Sequence, residues 1–509
     1  MQNNTTKTQV IIIGAGPTGL SMAAQLLRYG IDFIIIEKNE QTTHLSKALV
    51  VQARTLEIFQ ELGIAEKAIA IGQVTTAMNL FYKGKQKTAV DIQGLGEGMS
   101  QFPFALSLEQ SKTEKLLVDH LSENGKKIQW GSAFSHFEQG ENGVSAFYTD
   151  DKGNEQKIEA QYLVGCDGAS SLVRHQLGFA FEGDTDPKLF YVADVKLSSP
   201  VINKNELFMF MIKKGFILFF PMEGKGHYRV IGILPDHKDT DPPVTFISIK
   251  NYIKQEVVCP LDFEEVLWFS SYKVHSRKAG SFQGERCFIA GDAAHIHTPA
   301  GGQGMNTGIQ DAYNLAWKMA FVLKGEVNPG VLETYTSERM GNAKHLLQTT
   351  DRIFDMMAGT NPVWNFIRLN LFPPLSGIIT KYDFIKKRIF PLLSQIGIAY
   401  PDSDLTLKSS IGKIKAGMRM PYFVFADGKQ IYDYLSKPAF KILFFGDKNG
   451  STINDTSIKI ASHNFTEIPR TLFGNETDFY ILLRPDNHIS YIGKDACICR
   501  QLLNRINIG

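Results

Sequence analysis

Three stretches far apart in the chain carry residue types whose spacing suits the binding of a phosphate-bearing cofactor. The first is Gly14-Ala15-Gly16-Pro17-Thr18-Gly19. In such a turn the first glycine permits a tight bend, the second lets a pyrophosphate approach the backbone, and the third lets the next helix pack close to its strand. The start of that helix offers unpaired N–H groups and a partial positive charge to phosphates. Glu37-Lys38, about 20 residues on, places a carboxylate where it can accept hydrogen bonds from the hydroxyl pair of a ribose. The second stretch is Leu163-Val164-Gly165-Cys166-Asp167-Gly168-Ala169-Ser170-Ser171, with Arg174 beyond it. The third is Arg286-Cys287-Phe288-Ile289-Ala290-Gly291-Asp292-Ala293-Ala294-His295. Both set an aspartate and a glycine directly after a short apolar strand, where open α/β sheets bind ligands. The third runs on into Pro299-Ala300-Gly301-Gly302-Gln303-Gly304-Met305-Asn306, a second glycine-rich loop opening a helix.

Other reactive side chains point to no separate chemistry. His295 and His297 lie two apart, but no further His or Cys set completes a metal-ligand pattern, so no metal is expected. Cys166 and Cys287 fall within apolar strand patterns and read as small buried residues. Cys497-Ile498-Cys499 lacks the C-x-x-C spacing of a redox pair.

The elements that must position these residues are legible around them. Gln9-Val10-Ile11-Ile12-Ile13 is a β-branched apolar run suited to a strand buried on both faces. Leu20, Ala23, Ala24 and Leu27 then recur at helical spacing, Gly30 can stop the helix, and Phe33-Ile34-Ile35-Ile36 is a second buried strand ending on Glu37. Residues 79–82 and 88–91 predict a strand pair, residues 110–121 a helix, and residues 208–234 a three-stranded antiparallel meander. Helical spacing returns over 308–324 and through the 330s to 350s. Residues 441–445, 478–483 and 489–493 predict strands of a separate carboxyl-terminal α/β unit.

With 509 residues, two or three domains are expected. An apolar fraction of 43% with 21% charged residues excludes a disordered chain, and a net charge of +2 gives no electrostatic reason to expect nucleic acid or an anionic membrane as partner. The polar start Met1-Gln2-Asn3-Asn4-Thr5-Thr6 is unlike a signal peptide, and no run reaches the roughly 18 apolar residues of a membrane span, so a cytoplasmic location is expected.

The three motifs, in this order and separation, resemble those of the single-component FAD-dependent aromatic hydroxylases, the p-hydroxybenzoate hydroxylase-like flavoprotein monooxygenases, over residues 7 to about 350. Gly417-Met418-Arg419-Met420-Pro421 and Leu483-Arg484-Pro485-Asp486 are similar to the thioredoxin-like tail of the subgroup with phenol and polyketide hydroxylases. The resemblance implies an α/β fold with a Rossmann-like FAD-binding domain (1–73, 97–182 and 276–350), an inserted antiparallel β-sheet substrate domain (74–96 and 183–275), a helical connection (351–400) and a thioredoxin-like domain (401–509). It implies bound FAD, transient NADPH or NADH, O₂ and a small aromatic or polycyclic substrate, with a homodimer possible. The implied cofactor residues are Gly14, Ala15, Gly16, Pro17, Thr18, Gly19, Glu37, Lys38, Lys47, Gln110, Asp167, Gly291, Asp292, Pro299, Gly302, Gly304, Met305 and Asn306. Lys47 stands where arginine is more usual, keeping the charge but losing the planar fork. Pro299 and Gly304-Met305-Asn306 match the loop at the isoalloxazine ring, where O₂ adds at C4a and the distal oxygen passes to an electron-rich carbon; no acid–base residue is implied. Phe102, Phe104, Phe216 and Phe219 are expected in an apolar substrate pocket. Within the class, a hydroxylase of antibiotics such as tetracyclines or rifamycins is the alternative; outside it, a non-catalytic FAD-binding protein.

Overall fold

The computed structural model describes residues 5–43, 48–202, 205–213, 215–234, 242–298, 301–358, 366–371, 382–447 and 458–507. Val10–Ile13 is buried along its whole length, as a continuous β-branched run requires, and it lies inside a six-stranded sheet. The strand order is Gln283–Gly284, Cys287–Ile289, Tyr162–Gly165, Val10–Ile13, Phe33–Ile36, Ile128–Gln129. The pairs from Cys287–Ile289 to Ile128–Gln129 are parallel, and only the Gln283–Gly284 edge is antiparallel. Gly165 is in register with both Ile13 and Ile289. The segments after these three strands therefore leave the sheet side by side, and they are the three motif loops.

The helix Pro17–Arg28 buries Leu20, Ala23, Ala24 and Leu26 and ends before Gly30, whose φ of 67° favours glycine. It packs against Gly304–Leu323, a 20-residue helix buried from Met305 to Phe321. That helix begins four residues earlier than the apolar spacing from residue 308 predicts, because the glycine-rich loop itself supplies the first turn.

An eight-stranded sheet lies beside this layer, in the order His295–Ile296, Asp262–Ala279, Phe181–Ser198, His227–Leu234, Gly215–Pro221, Leu207–Ile212, Ala77–Tyr82, Lys85–Asp91. Leu207–Ile212, Gly215–Pro221 and His227–Leu234 form the expected meander, all antiparallel. One face carries Tyr191, Phe208, Phe210, Ile217 and Phe219 and is covered by the helix Phe246–Val257. The other, with Phe190, Met209, Phe216 and Ile233, merges into the core of the six-stranded sheet. At the carboxyl end, Ile460–Phe465, Phe440–Phe445, Phe479–Leu483 and Ile489–Gly493 form a four-stranded sheet in that order, followed by the helix Ala496–Ile506. Among the described residues no helix is long and apolar enough to cross a membrane.

Candidate cofactor site

The first glycine turn is held by contacts that exclude side chains. Gly14 has φ 101°, and a methyl group there would lie 2.5 Å from the carbonyl oxygen of Cys166; one at Gly19 would overlap the carbonyl of Gly14. Gly16 differs, having open space where its side chain would be. Pro17 begins the helix and no side chain caps it, so its first N–H groups face that opening. Glu37 accepts the N–H of Ala15 at 2.8 Å and that of Asn39 at 3.0 Å, tying the second strand to the turn; Lys38 beside it is exposed.

Thr18 is where the first and third motifs meet. A methyl group at Gly291 or at Gly308 would overlap its hydroxyl, so the turn after Cys287–Ile289 and the long helix both press on the first helix through glycine. Gly291, at φ 63°, donates its N–H to Asp311 Oδ2 at 3.0 Å. Asp311 also pairs with His295 at 2.7 Å and Arg339 at 2.6 Å. Burial pushes the Asp311 carboxyl up, but Arg339 and His295 outweigh it and hold it at about 2. Asp292 itself is exposed at the turn. In the second motif Asp167 Oδ2 accepts the N–H of Val173 at 3.2 Å, whereas Oδ1 is buried with no partner and burial pushes the carboxyl up. Arg174 donates to the carbonyls of Ala169 and Ala293, binding the second loop to the third.

In the second glycine-rich loop Gly301 and Gly302 both have positive φ, and a methyl group at Gly302 would come within 3.0 Å of Val50. Asn306 is fully buried and its side chain is fully used: Nδ2 donates to the carbonyls of Val50 and Gly302, and Oδ1 accepts from the Gln52 N–H and the Thr55 hydroxyl. The Asn306 side chain thus shapes the loop, and what the turn can offer a ligand is the backbone of Gly304, Met305 and Asn306, which opens a helix with no side-chain cap. Beside Gly304, His297 places Nδ1 2.8 Å from the Thr298 carbonyl; burial lowers its pKa to about 4, and Nε2 and the Thr298 hydroxyl are buried without partners. Gln110 accepts the Ala48 N–H at 3.4 Å and donates to Glu114 at 2.9 Å. Lys47 and Pro299 lie outside the described residues.

Phe102, Phe104 and Phe216 share the core between the two large sheets, with the rings of Phe102 and Phe104 6.2 Å apart edge to face. Phe219 is not with them. Three positions from Phe216 in one strand, it points to the opposite face, under Phe246–Val257, and Phe220 takes the near side against Leu49, Val50 and Met222. Strict alternation along residues 215–221 carried that signal. Asp311, Arg339, Asp194 and Arg229 gave none, because a charged residue in an otherwise regular element reads as solvated until its distant partner is known.

The donor set fits an anionic dinucleotide. Two uncapped helix starts, an open Gly16 and an unspent carboxylate oxygen on Asp167 gather at the carboxyl ends of the sheet's central strands. Residues 7–350 match the family of the FAD binding domain, and the chain belongs to that family. Among its relatives, 6-methylpretetramide 4-monooxygenase of Streptomyces rimosus is 33% identical over 355 residues, covering 70% of this chain and 63% of that protein, so the match spans a little under two thirds of that relative. The uncharacterized aromatic compound monooxygenase YhjG of Bacillus subtilis is 30% identical over 512 residues, 98% of this chain and 97% of that protein. The solved structure of OxyS anhydrotetracycline hydroxylase from Streptomyces rimosus superposes with a TM-score of 0.79 at 27% identity, covering 98% of this chain and 99% of that one.

Proposed function

We propose that this chain is an FAD-dependent monooxygenase that hydroxylates a phenolic or polycyclic aromatic substrate with NAD(P)H and O₂. The observation that carries this reading is the convergence of two glycine-rich helix starts and two aspartate turns at the carboxyl ends of neighbouring central strands, facing an aromatic-rich sheet. Bound FAD supplies the redox chemistry, accepting reducing equivalents from NAD(P)H and activating O₂. The chain's residues bind and orient. Gly14 to Gly19 and the Pro17–Arg28 helix start hold the pyrophosphate, and Glu37, Asp167 and Asp292 take hydroxyl groups of the cofactor. The backbone of Gly302, Gly304, Met305 and Asn306 would offer partial positive charge to the heterocycle. Phe102, Phe104, Phe216 and Phe220 exclude water above it.

On this reading residues 74–96 and 183–275 form the substrate unit, and residues 401–509 a thioredoxin-like domain without a paired-cysteine site. The names of the relatives include polycyclic substrates and a single phenol, pentachlorophenol, and they equally support a tetracycline-type drug as the molecule oxidised. The test is NAD(P)H consumption by the flavin-loaded protein with a panel of phenols, polycyclic aromatics and tetracycline-type drugs, with product masses measured. Ligand-stimulated oxidation and addition of one oxygen atom are expected. Protein that takes up no flavin, or whose NAD(P)H oxidation no aromatic stimulates, would overturn the proposal, and oxygen insertion into the drugs alone would move it to the antibiotic-modifying class.

A further inference from the structure

The sheet face turned toward the cofactor loops is laid out in rows across neighbouring strands. Phe220, Arg229, Asp194 and Trp268 lie abreast; the next row is Leu218, Ile231, Val192 and Ser270, and the one beyond holds Ile233, Phe190 and Tyr272. Leu218, Phe220, Ile231, Trp268 and Ser270 are only half-buried, so the first two rows form the part of the face that remains open. Charge within these rows is confined to one pair. Arg229 Nε and Nη2 each meet an oxygen of Asp194 at 2.7 Å, Nη1 turns to the Ala48 carbonyl at 3.5 Å, and the guanidinium carbon lies 5.5 Å from the Trp268 ring.

The pair is not sealed evenly. The Arg229 side chain has 0% exposure, whereas that of Asp194 keeps 12%. A carboxylate oxygen has more than one lone pair, so each oxygen of Asp194 can still accept after Arg229 is served. The reachable polar edge of this apolar floor is therefore an acceptor, and the cation behind it is already matched. A second carboxylate brought here would be desolvated beside a like charge, and within these rows the one cation, Arg229, is already paired. A phenolic O–H would instead make a charge-assisted hydrogen bond.

We propose that Asp194 is a specificity-determining residue: it accepts a hydroxyl group of an uncharged, planar polycyclic aromatic lying on Leu218 and Ile231, and it rejects aryl carboxylates. This rests on the function proposed above and names the substrate class of that site.

The experiment uses the flavin-loaded enzyme and three probes, with every hydroxyl free to donate: 2,6-dihydroxynaphthalene, its dimethyl ether, and 6-hydroxynaphthalene-2-carboxylate. Binding is read from the perturbation of the flavin absorbance, and stimulation of NAD(P)H oxidation is recorded alongside. The dihydroxy compound is expected to bind about tenfold tighter than either other probe, the size of one hydrogen bond to a charged group. Asp194→Asn should bring the carboxylate to within about twofold of the neutral probe, because Arg229 then keeps unmatched charge. The double variant Asp194→Asn/Arg229→Gln replaces the ion pair by neutral groups and guards against collapse of the single one; it should lose the preference for the hydroxyl while keeping its flavin. Equal binding of the ether or the carboxylate by the wild-type protein would overturn the assignment of Asp194 while leaving the monooxygenase reading intact. Absence of any flavin perturbation and of any stimulated NAD(P)H oxidation would overturn both.

Discussion

At the seam between the carboxyl-terminal sheet and the Gly304–Leu323 helix, the buried carboxylates of Glu57, Glu61, Glu338 and Asp486 each meet a cation. Arg484 binds both Glu338 and Asp486, Lys318 reaches Glu338 at 2.8 Å, Arg419 and Arg54 clasp Glu57 at 3.0 Å each, and Arg28 takes Glu61 at 2.9 Å. Around the glycine loops, equally buried, Asp167 Oδ1, His297 Nε2 and the Thr298 hydroxyl have no partner, and two helix starts carry no cap. Every one of these seam carboxylates is matched by a cation within the protein, although Asn314 Oδ1, Asn487 Oδ1 and His488 Nε2 beside them have no partner; at the loops it is the carboxylate and the helix starts themselves that are left open. Substitutions at the seam should therefore change stability whether or not cofactor is present, while those in the loops should act chiefly through cofactor binding.

The largest effect is expected from Glu338→Ala, which strands Lys318 in the interior and leaves Arg484 with Asp486 as its one carboxylate. Breaking a buried pair in this way costs about 3–5 kcal/mol, visible as a lowered denaturation midpoint in flavin-free and flavin-loaded protein alike. A midpoint unchanged in both would mean the seam is not a finished interface. Next comes Gly14→Ala, whose methyl group meets the Cys166 carbonyl at a backbone angle side chains avoid; overpacking of this kind costs about 1–3 kcal/mol, and flavin affinity measured by equilibrium dialysis should fall by about tenfold or more. Asn306→Ala removes four hydrogen bonds and leaves the Gln52 N–H and two carbonyls unmatched, so a loss of about 1–3 kcal/mol is expected, larger in the loaded protein because the loop is then held to a ligand.

Acid sharpens the comparison. Glu338, like Asp311, is held at about 2, because Arg484 and Lys318 outweigh the upward push of burial. Both folded values lie below the roughly 4 of an unfolded carboxyl group, so their stabilisation is fully present above about pH 5 and lost as pH falls toward 2. Urea midpoints measured across that window should decline steadily in the wild-type protein and less steeply in Glu338→Gln. The smallest effect on stability belongs to Gly16→Ala. Open space surrounds the added methyl group and the backbone angle of −75° accepts it, so the flavin-free midpoint should move by less than about 0.5 kcal/mol while flavin affinity drops. A variant that binds flavin normally would remove Gly16 from the pyrophosphate contact.

The nucleotide half was readable because its signals are local. Val10–Ile13, the Pro17–Arg28 helix and Phe33–Ile36 follow directly from β-branched runs, helical spacing and glycine stops. What could not be read is the wiring. Asp311 lies in a regular helix, and its partners His295 and Arg339 are 16 and 28 residues away. Asp194 and Arg229 sit 35 residues apart on neighbouring strands, and Arg419 reaches Glu57 across 362. Burial of a charge is a tertiary fact, with no local spacing to announce it. Phe219 was legible in the strand itself: three positions from Phe216, it is carried by alternation to the opposite face.

The register that aligns Ile13, Gly165 and Ile289 also sets the timing of assembly. The middle strand of these three ends at residue 165 and the far one at residue 289, with five strands of the eight-stranded sheet between them in the chain. During synthesis, the amino-terminal glycine turn waits for more than half of the polypeptide to leave the ribosome before its neighbours exist. Pairing over such separations is slow, and exposed strand edges invite misassociation in the interval. The cofactor loops therefore come together only once both later strands have joined the first.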